Sequence, residues 1–156
     1  MKKLVILLLP LIFLFSQFSY AKDDVGLSLK AKLDEVAINM DKNQHISQSW
    51  QLMIDVYHII EKHPEYNDGA IAEGIDMALS MLLQKPWKFA NPYFTDKRNK
   101  DFFQFVGDHL SGVPTIKELE IIEKNISQGC DLKKTPSCKK LIVKVNETIA
   151  QLSKEK

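Results

Sequence analysis

Thr115-Ile-Lys-Glu-Leu-Glu-Ile-Ile-Glu-Lys-Asn-Ile-Ser-Gln-Gly-Cys130-Asp-Leu-Lys-Lys-Thr-Pro-Ser-Cys138 is the stretch on which the fold turns. Thr115 with Glu118 three residues later has the spacing of a capping box, in which each side chain satisfies an unpaired backbone donor at a helix start. Ile116, Leu119, Ile122 and Ile126 then recur at helical spacing and form one apolar stripe. Gly129 is expected as a left-handed stop. Thr135-Pro136 opens the next helix, because proline lacks an N–H that the first turn leaves unbonded anyway. Its apolar face is Leu141, Ile142, Val145, Ile149 and Leu152. Cys130 and Cys138, the only two cysteines, fall at the end of one helix and the start of the next. A disulfide between them would pin an antiparallel hairpin at its corner. Their spacing is neither the Cys-x-x-Cys of a redox enzyme nor part of a four-ligand zinc set.

The same periodicity runs upstream. Val25, Leu29, Leu33, Val36 and Met40 predict an amphipathic helix ending near Asp41. Ser47 or Ser49 is expected to cap a second helix through Trp50, Met53, Ile54, Tyr57 and Ile60, stopped at His63-Pro64. Asn67 or Asp68 opens a third, through Ile71, Ile75, Ala78, Leu79 and Leu82, which ends at Lys85-Pro86. Gly69 and Gly74 weaken its intrinsic propensity, so packing must hold it. Residues 86–96 read as irregular, and a fourth helix is expected over about Lys97 to Leu110, before a turn at Ser111-Gly112-Val113-Pro114. Outside the first 21 residues no stretch alternates with period two; the β-prone Leu141-Ile142-Val143 sits in a helical frame. The expectation is an all-α fold, a compact bundle or short stack of about five to six antiparallel helices with one disulfide. No repeat or linker divides residues 22–156, which read as a single helical domain.

Residues 1–21 differ from the rest and have the parts of a cleaved signal peptide. Lys2 and Lys3 precede 12 apolar-rich residues, Leu4 to Phe15, and Ser19-Tyr20-Ala21 places small residues at a cleavage site. Twelve residues span roughly 18 Å as a helix, short of the ~30 Å hydrocarbon core, so no stable membrane anchor is expected after cleavage. No cysteine follows Ala21 to carry a lipid. The protein is therefore expected to be secreted across an inner membrane, and periplasmic in a Gram-negative bacterium. An oxidising compartment also favours the disulfide.

After the signal, 135 residues carry 19 basic and 20 acidic side chains, net −1. That composition excludes a disordered chain and a polytopic membrane protein, and offers nothing to nucleic acid. The charges are divided: residues 22–84 sum to −6 and residues 85–156 to +5. The most distinctive segment is 85–100, where Trp87, Phe89, Tyr93 and Phe94 alternate with turn residues among Lys85, Lys88, Lys97, Arg98 and Lys100. Trp87, Phe89, Tyr93, Phe94, Lys97 and Arg98 are the partner-binding candidates, because aromatic and arginine anchors carry most interface energy. The alternative is that the aromatics fold inward and cover the bundle end. A second basic cluster, Lys133, Lys134, Lys139, Lys140 and Lys144, flanks the cysteines and would suit a solvated helix face or an anionic lipid or polymer.

No zinc-protease, nucleophile-elbow or phosphate-loop motif is present, and no metal or other cofactor is implied. Asp55 and His58, three apart, could hydrogen-bond on one helix, while His109 would complement a helix C-terminus. The functional expectation is a small helical binding protein of the inhibitor or immunity type, occluding a secreted enzyme or toxin. The alternatives are an envelope chaperone or assembly factor, and a hydrolase built from scattered groups such as Asp55, His58 and His109. An enzyme is the less favoured class.

Overall fold

In a computed structural model that describes residues 24–99, 101–110 and 114–154, Leu29, Leu33, Val36 and Met40 are buried along one side of α1 (24–41). The expected export signal lies outside the described residues. Asn43 and His45 then adopt left-handed backbone angles (φ 49° and 53°), which turn the chain into α2 (Ile46–Lys62). The expected serine cap is not used: His45 is the N-cap and makes no side-chain capping bond. Ser49 instead lies inside the first turn, buried, with its Oγ accepting from Asn39 Nδ2 at 3.2 Å. Burial of both groups makes this contact between α1 and α2 worth more than a solvent-exposed cap. α2 ends at Lys62, where His63-Pro64 interrupts it as expected.

α3 (Gly69–Leu83) is capped by Asp68, whose Oδ1 accepts from the Gly69 N–H at 2.7 Å. Gly69 has φ +52°, a conformation in which a Cβ would be strained. Ile75, Ala78, Leu79, Leu82 and Leu83 bury the inner face of α3. At its C-terminal end, Asn125 Nδ2 donates to the carbonyls of Leu83 and Lys85 at 3.1 and 3.2 Å. Two acceptors that the helix itself cannot satisfy thus gain a partner from a distant element.

The stretch expected to be irregular is built from turns: a 3₁₀ turn at Trp87–Phe89, the short α4 (Asn91–Thr95) and another 3₁₀ turn at Lys97–Asn99. The expected helix from Lys97 to Leu110 shrinks to α5 (Phe102–Asp108). Two side chains account for the loss. Asp96 Oδ1 accepts from the Arg98 N–H at 2.9 Å, and Asn99 Nδ2 donates to the Tyr93 carbonyl at 3.3 Å, folding 96–99 back on α4.

α6 (Ile116–Gly129) begins with the capping box: the Glu118 N–H donates to Thr115 Oγ1 at 3.3 Å, and the Thr115 N–H to Glu118 Oε2 at 2.7 Å. α7 (Pro136–Lys154) packs back along α6, and the Cys130–Cys138 disulfide closes their corner across 6.5 Å between Cα atoms. A loop this short contributes about 2–3 kcal/mol by restricting the unfolded chain. Gly129 is not the left-handed stop. It is the last helical residue, and Cys130 leaves the helix with extended angles. Its role is close approach: a Cβ at Gly129 would lie 2.3 Å from Trp87 Cβ.

Among the described residues there are seven α-helices and no strand, an all-α arrangement around one contiguous core. Its centre is aromatic. Phe94 lies 4.9 Å from Trp87, 5.9 Å from Trp50 and 5.4 Å from Phe102, centroid to centroid, in tilted or edge-on geometry. Burial of each such ring removes a large apolar area from water, and these ring orientations add about 0.5–1.5 kcal/mol per pair.

Candidate functional site

The segment singled out in the sequence divides into an inner and an outer face. Trp87 and Phe94 are buried in the aromatic core and offer no surface to a partner. The period of α4 and its flanking turns decides this: Trp87, Ala90 and Phe94 fall on one side and are all buried. Trp87 Nε1 donates to Asn91 Oδ1 at 3.3 Å, satisfying its polar edge locally. Phe89 and Tyr93 are half-buried, whereas Lys97 and Arg98 are exposed. The Lys88 ammonium lies 5.0 Å above the Phe89 ring.

Tyr93, Asp96 and Arg98 line one wall of a cleft of about 440 Å³, and Gln51, Ile54 and His58 of α2 line the other. Tyr93 is fixed from both sides: its O–H donates to the Ser47 carbonyl at 2.9 Å, and its ring stacks on Trp50 at 6.2 Å. Burial pushes the phenol pKa up, so the group stays a hydrogen-bond donor. Arg98 is tied to Asp96 by three side-chain bonds: Nη2 to Oδ2 at 2.6 Å, and Nε to both carboxylate oxygens at 3.1 Å. The Arg98 side-chain and backbone hydrogen bonds hold the Asp96 carboxyl down at about 2, and the same contact raises the guanidinium. Arg98 nonetheless leaves 87% of its side chain in solvent. The cleft thus presents a cation whose direction is set, beside a fixed tyrosine.

The polar groups suggested for hydrolysis are held apart by different partners. Asp55 takes Gln51 Nε2 at 3.2 Å and lies 3.5 Å from Lys32 Nζ, so the expected Asp55–His58 contact gives way to other pairings. His58 Nδ1 is 2.9 Å from Glu61 Oε2, and the Tyr57 O–H donates to Glu61 Oε1 at 2.6 Å. Burial first, and then Glu61, pushes the Tyr57 pKa upward. His109 is the C-cap of α5, near the helix end as expected, but its ring turns to α3, where Nδ1 lies 2.5 Å from Asp76 Oδ1. Both side chains are largely enclosed, and Phe105 packs 4.7 Å from the imidazole. Sequence reasoning missed this pair because its members are 33 residues apart. The carboxylate next to His109 in the chain, Asp108, bonds Gln104 and gives no pointer to Asp76. Among the described residues no three His, Cys, Asp or Glu side chains are grouped to hold a metal ion.

No protein family, curated protein or solved structure matches this chain. The class that the fold defines is a small all-α protein with one disulfide-closed corner, and its chemistry is read from the cleft itself.

Proposed function

We propose that the protein is an exported helical binding protein of the inhibitor or immunity type, which occludes a secreted enzyme or toxin by docking Phe89, Tyr93, Lys97 and Arg98 on it. One observation carries this reading. Arg98 is exposed yet oriented by the Asp96 fork, on a segment whose other face is anchored in the core by Trp87 and Phe94. A preoriented cation loses little conformational freedom on binding, and arginine and tyrosine are common interface anchors. The disulfide pair supports an oxidising location outside the cytoplasm, periplasmic in a Gram-negative cell. No described helix is long and apolar enough to cross a membrane.

The test is affinity capture from envelope extract and culture supernatant with the wild-type protein and with Arg98→Ala and Tyr93→Ala. The expected result is one stoichiometric enzyme or toxin whose activity the protein suppresses, with Arg98→Ala weakening binding by about 2 kcal/mol, as hot-spot residues do. Capture of many unrelated clients would replace this reading with a chaperone. Unchanged affinity in both variants would show the cleft to be the wrong surface.

A further inference from the structure

A second concave surface lies between α5 and α7, away from the first cleft, and the partner reading makes no use of it. It is a groove of about 500 Å³ between α5 and α7, within the roughly 300–1,000 Å³ range of small-molecule sites. Phe103 and Val143 supply its apolar walls, and Val143 leaves 50% of its surface in solvent, open to a ligand chain. Lys139 and Lys140 stand at one end. The Lys140 ammonium sits 4.9 Å above the Phe103 ring, and no ion pair reaches Lys139 or Lys140 among the described residues. The other end is chemically different. Lys144 points its ammonium to Asp108 Oδ1 at 3.8 Å, and Glu147 adds a negative charge. From Lys140 to Glu147 the groove runs about 10 Å along the helix.

Uncompensated cations at one end, an apolar middle and a net-negative far end fit a ligand with one acidic head, placed at the lysines, and an apolar tail. We propose that the α5–α7 groove binds a free, single-chain anionic amphiphile, with its carboxylate or phosphate at Lys139 and Lys140 and its chain between Phe103 and Val143. The shape favours this occupant over a flat bilayer, since the apolar wall is recessed between two helices.

The probe is dodecanoate below its micelle concentration, titrated into the protein by calorimetry and followed by amide resonances. The expected result is saturable 1:1 binding, with shifts confined to α5 and α7. Dodecanol and dodecyltrimethylammonium should bind at least about tenfold more weakly, a difference of about 1.4 kcal/mol. Lys139→Glu with Lys140→Glu should cost about tenfold or more, and Val143→Gln about threefold to tenfold. Lys133→Glu with Lys134→Glu, outside the groove, should leave affinity within about twofold. If the glutamate pair fails to fold by circular dichroism, Lys139→Gln with Lys140→Gln makes the same test at lower charge. Absence of saturable binding would overturn the proposal, as would equal losses from both lysine pairs, equal affinity for the cationic analogue, or binding only to phosphatidylglycerol vesicles.

Discussion

The α6–α7 hairpin and the segment from Lys85 to Leu110 lie against each other but are ordered by different forces. In the hairpin, each boundary has a local cause within a few residues: a capping box, a proline at the first helical position, a disulfide across eight positions. In the 85–110 segment the longest described helix has seven residues, too short to persist by itself. Its order comes from what its side chains reach. Trp87 meets Gly129, Tyr93 meets the Ser47 carbonyl, and Phe94 and Phe102 meet Trp50. The lesson is that irregular backbone is no sign of a peripheral loop when its large residues are spaced to fall on one side. Here the least regular stretch contributes much of the core.

The largest test of this contrast is Trp87→Ala. Loss of a buried tryptophan should cost about 3–5 kcal/mol in chemical denaturation and loosen the whole 85–110 segment in amide exchange, while exchange within α6 and α7 rises less. A cost below about 1 kcal/mol would mean that the segment orders without its anchor.

Gly129→Ala probes the point where the two regions touch, and here even the sign is informative. Helix propensity alone would make alanine better by about 1 kcal/mol. The Trp87 Cβ, 2.3 Å from the added methyl and too near its own backbone to swing away, makes the expected outcome a destabilisation of about 1–3 kcal/mol. A stabilised variant would show that the hairpin and the aromatic segment can move apart at little cost.

The smallest effect belongs to the hairpin's own signal. Thr115→Ala should cost about 1 kcal/mol at neutral pH by removing the cap. Acid should narrow that gap. The Thr115 backbone and side-chain hydrogen bonds hold the Glu118 carboxyl below its ordinary 4.5. A lowered folded-state value means stability that is present above 4.5 and lost as pH falls through the folded value. Wild type therefore loses this contribution on acidification and the variant has less of it to lose. Parallel stability curves from pH 7 to pH 3 would show that Glu118 is not the partner that matters.

How much could be read beforehand follows the same division. The stripes of α1, α2, α3, α6 and α7 were legible because apolar residues at helical spacing must face one side whatever they pack on. Thr115 with Glu118, Asp68 and Pro136 marked true helix starts because their partners are close in the chain. Ser49 misled, since whether a serine caps a helix or enters the core depends on Asn39, ten residues away. Of the partner candidates, Phe89, Tyr93, Lys97 and Arg98 reach the surface, while Trp87 and Phe94 do not. Phe94 shares a side with Trp87 and Ala90 and Phe89 does not, but which side becomes core is set by the helices that enclose it. The Asp76–His109 pair and the Lys139–Lys140 groove likewise exist only once α3, α5 and α7 are brought together.

By itself, then, the sequence determined the helical class, most helix boundaries and the disulfide corner, because periodicity, capping and loop closure act over a few residues. The tertiary structure alone decided which aromatics are core, why position 129 must be glycine and where charged groups meet. Those outcomes depend on contacts between residues more than 30 positions apart, such as Trp87 with Gly129, the Tyr93 hydroxyl with the Ser47 carbonyl and Asp76 with His109. Such contacts form only when the packed helices have excluded water between them.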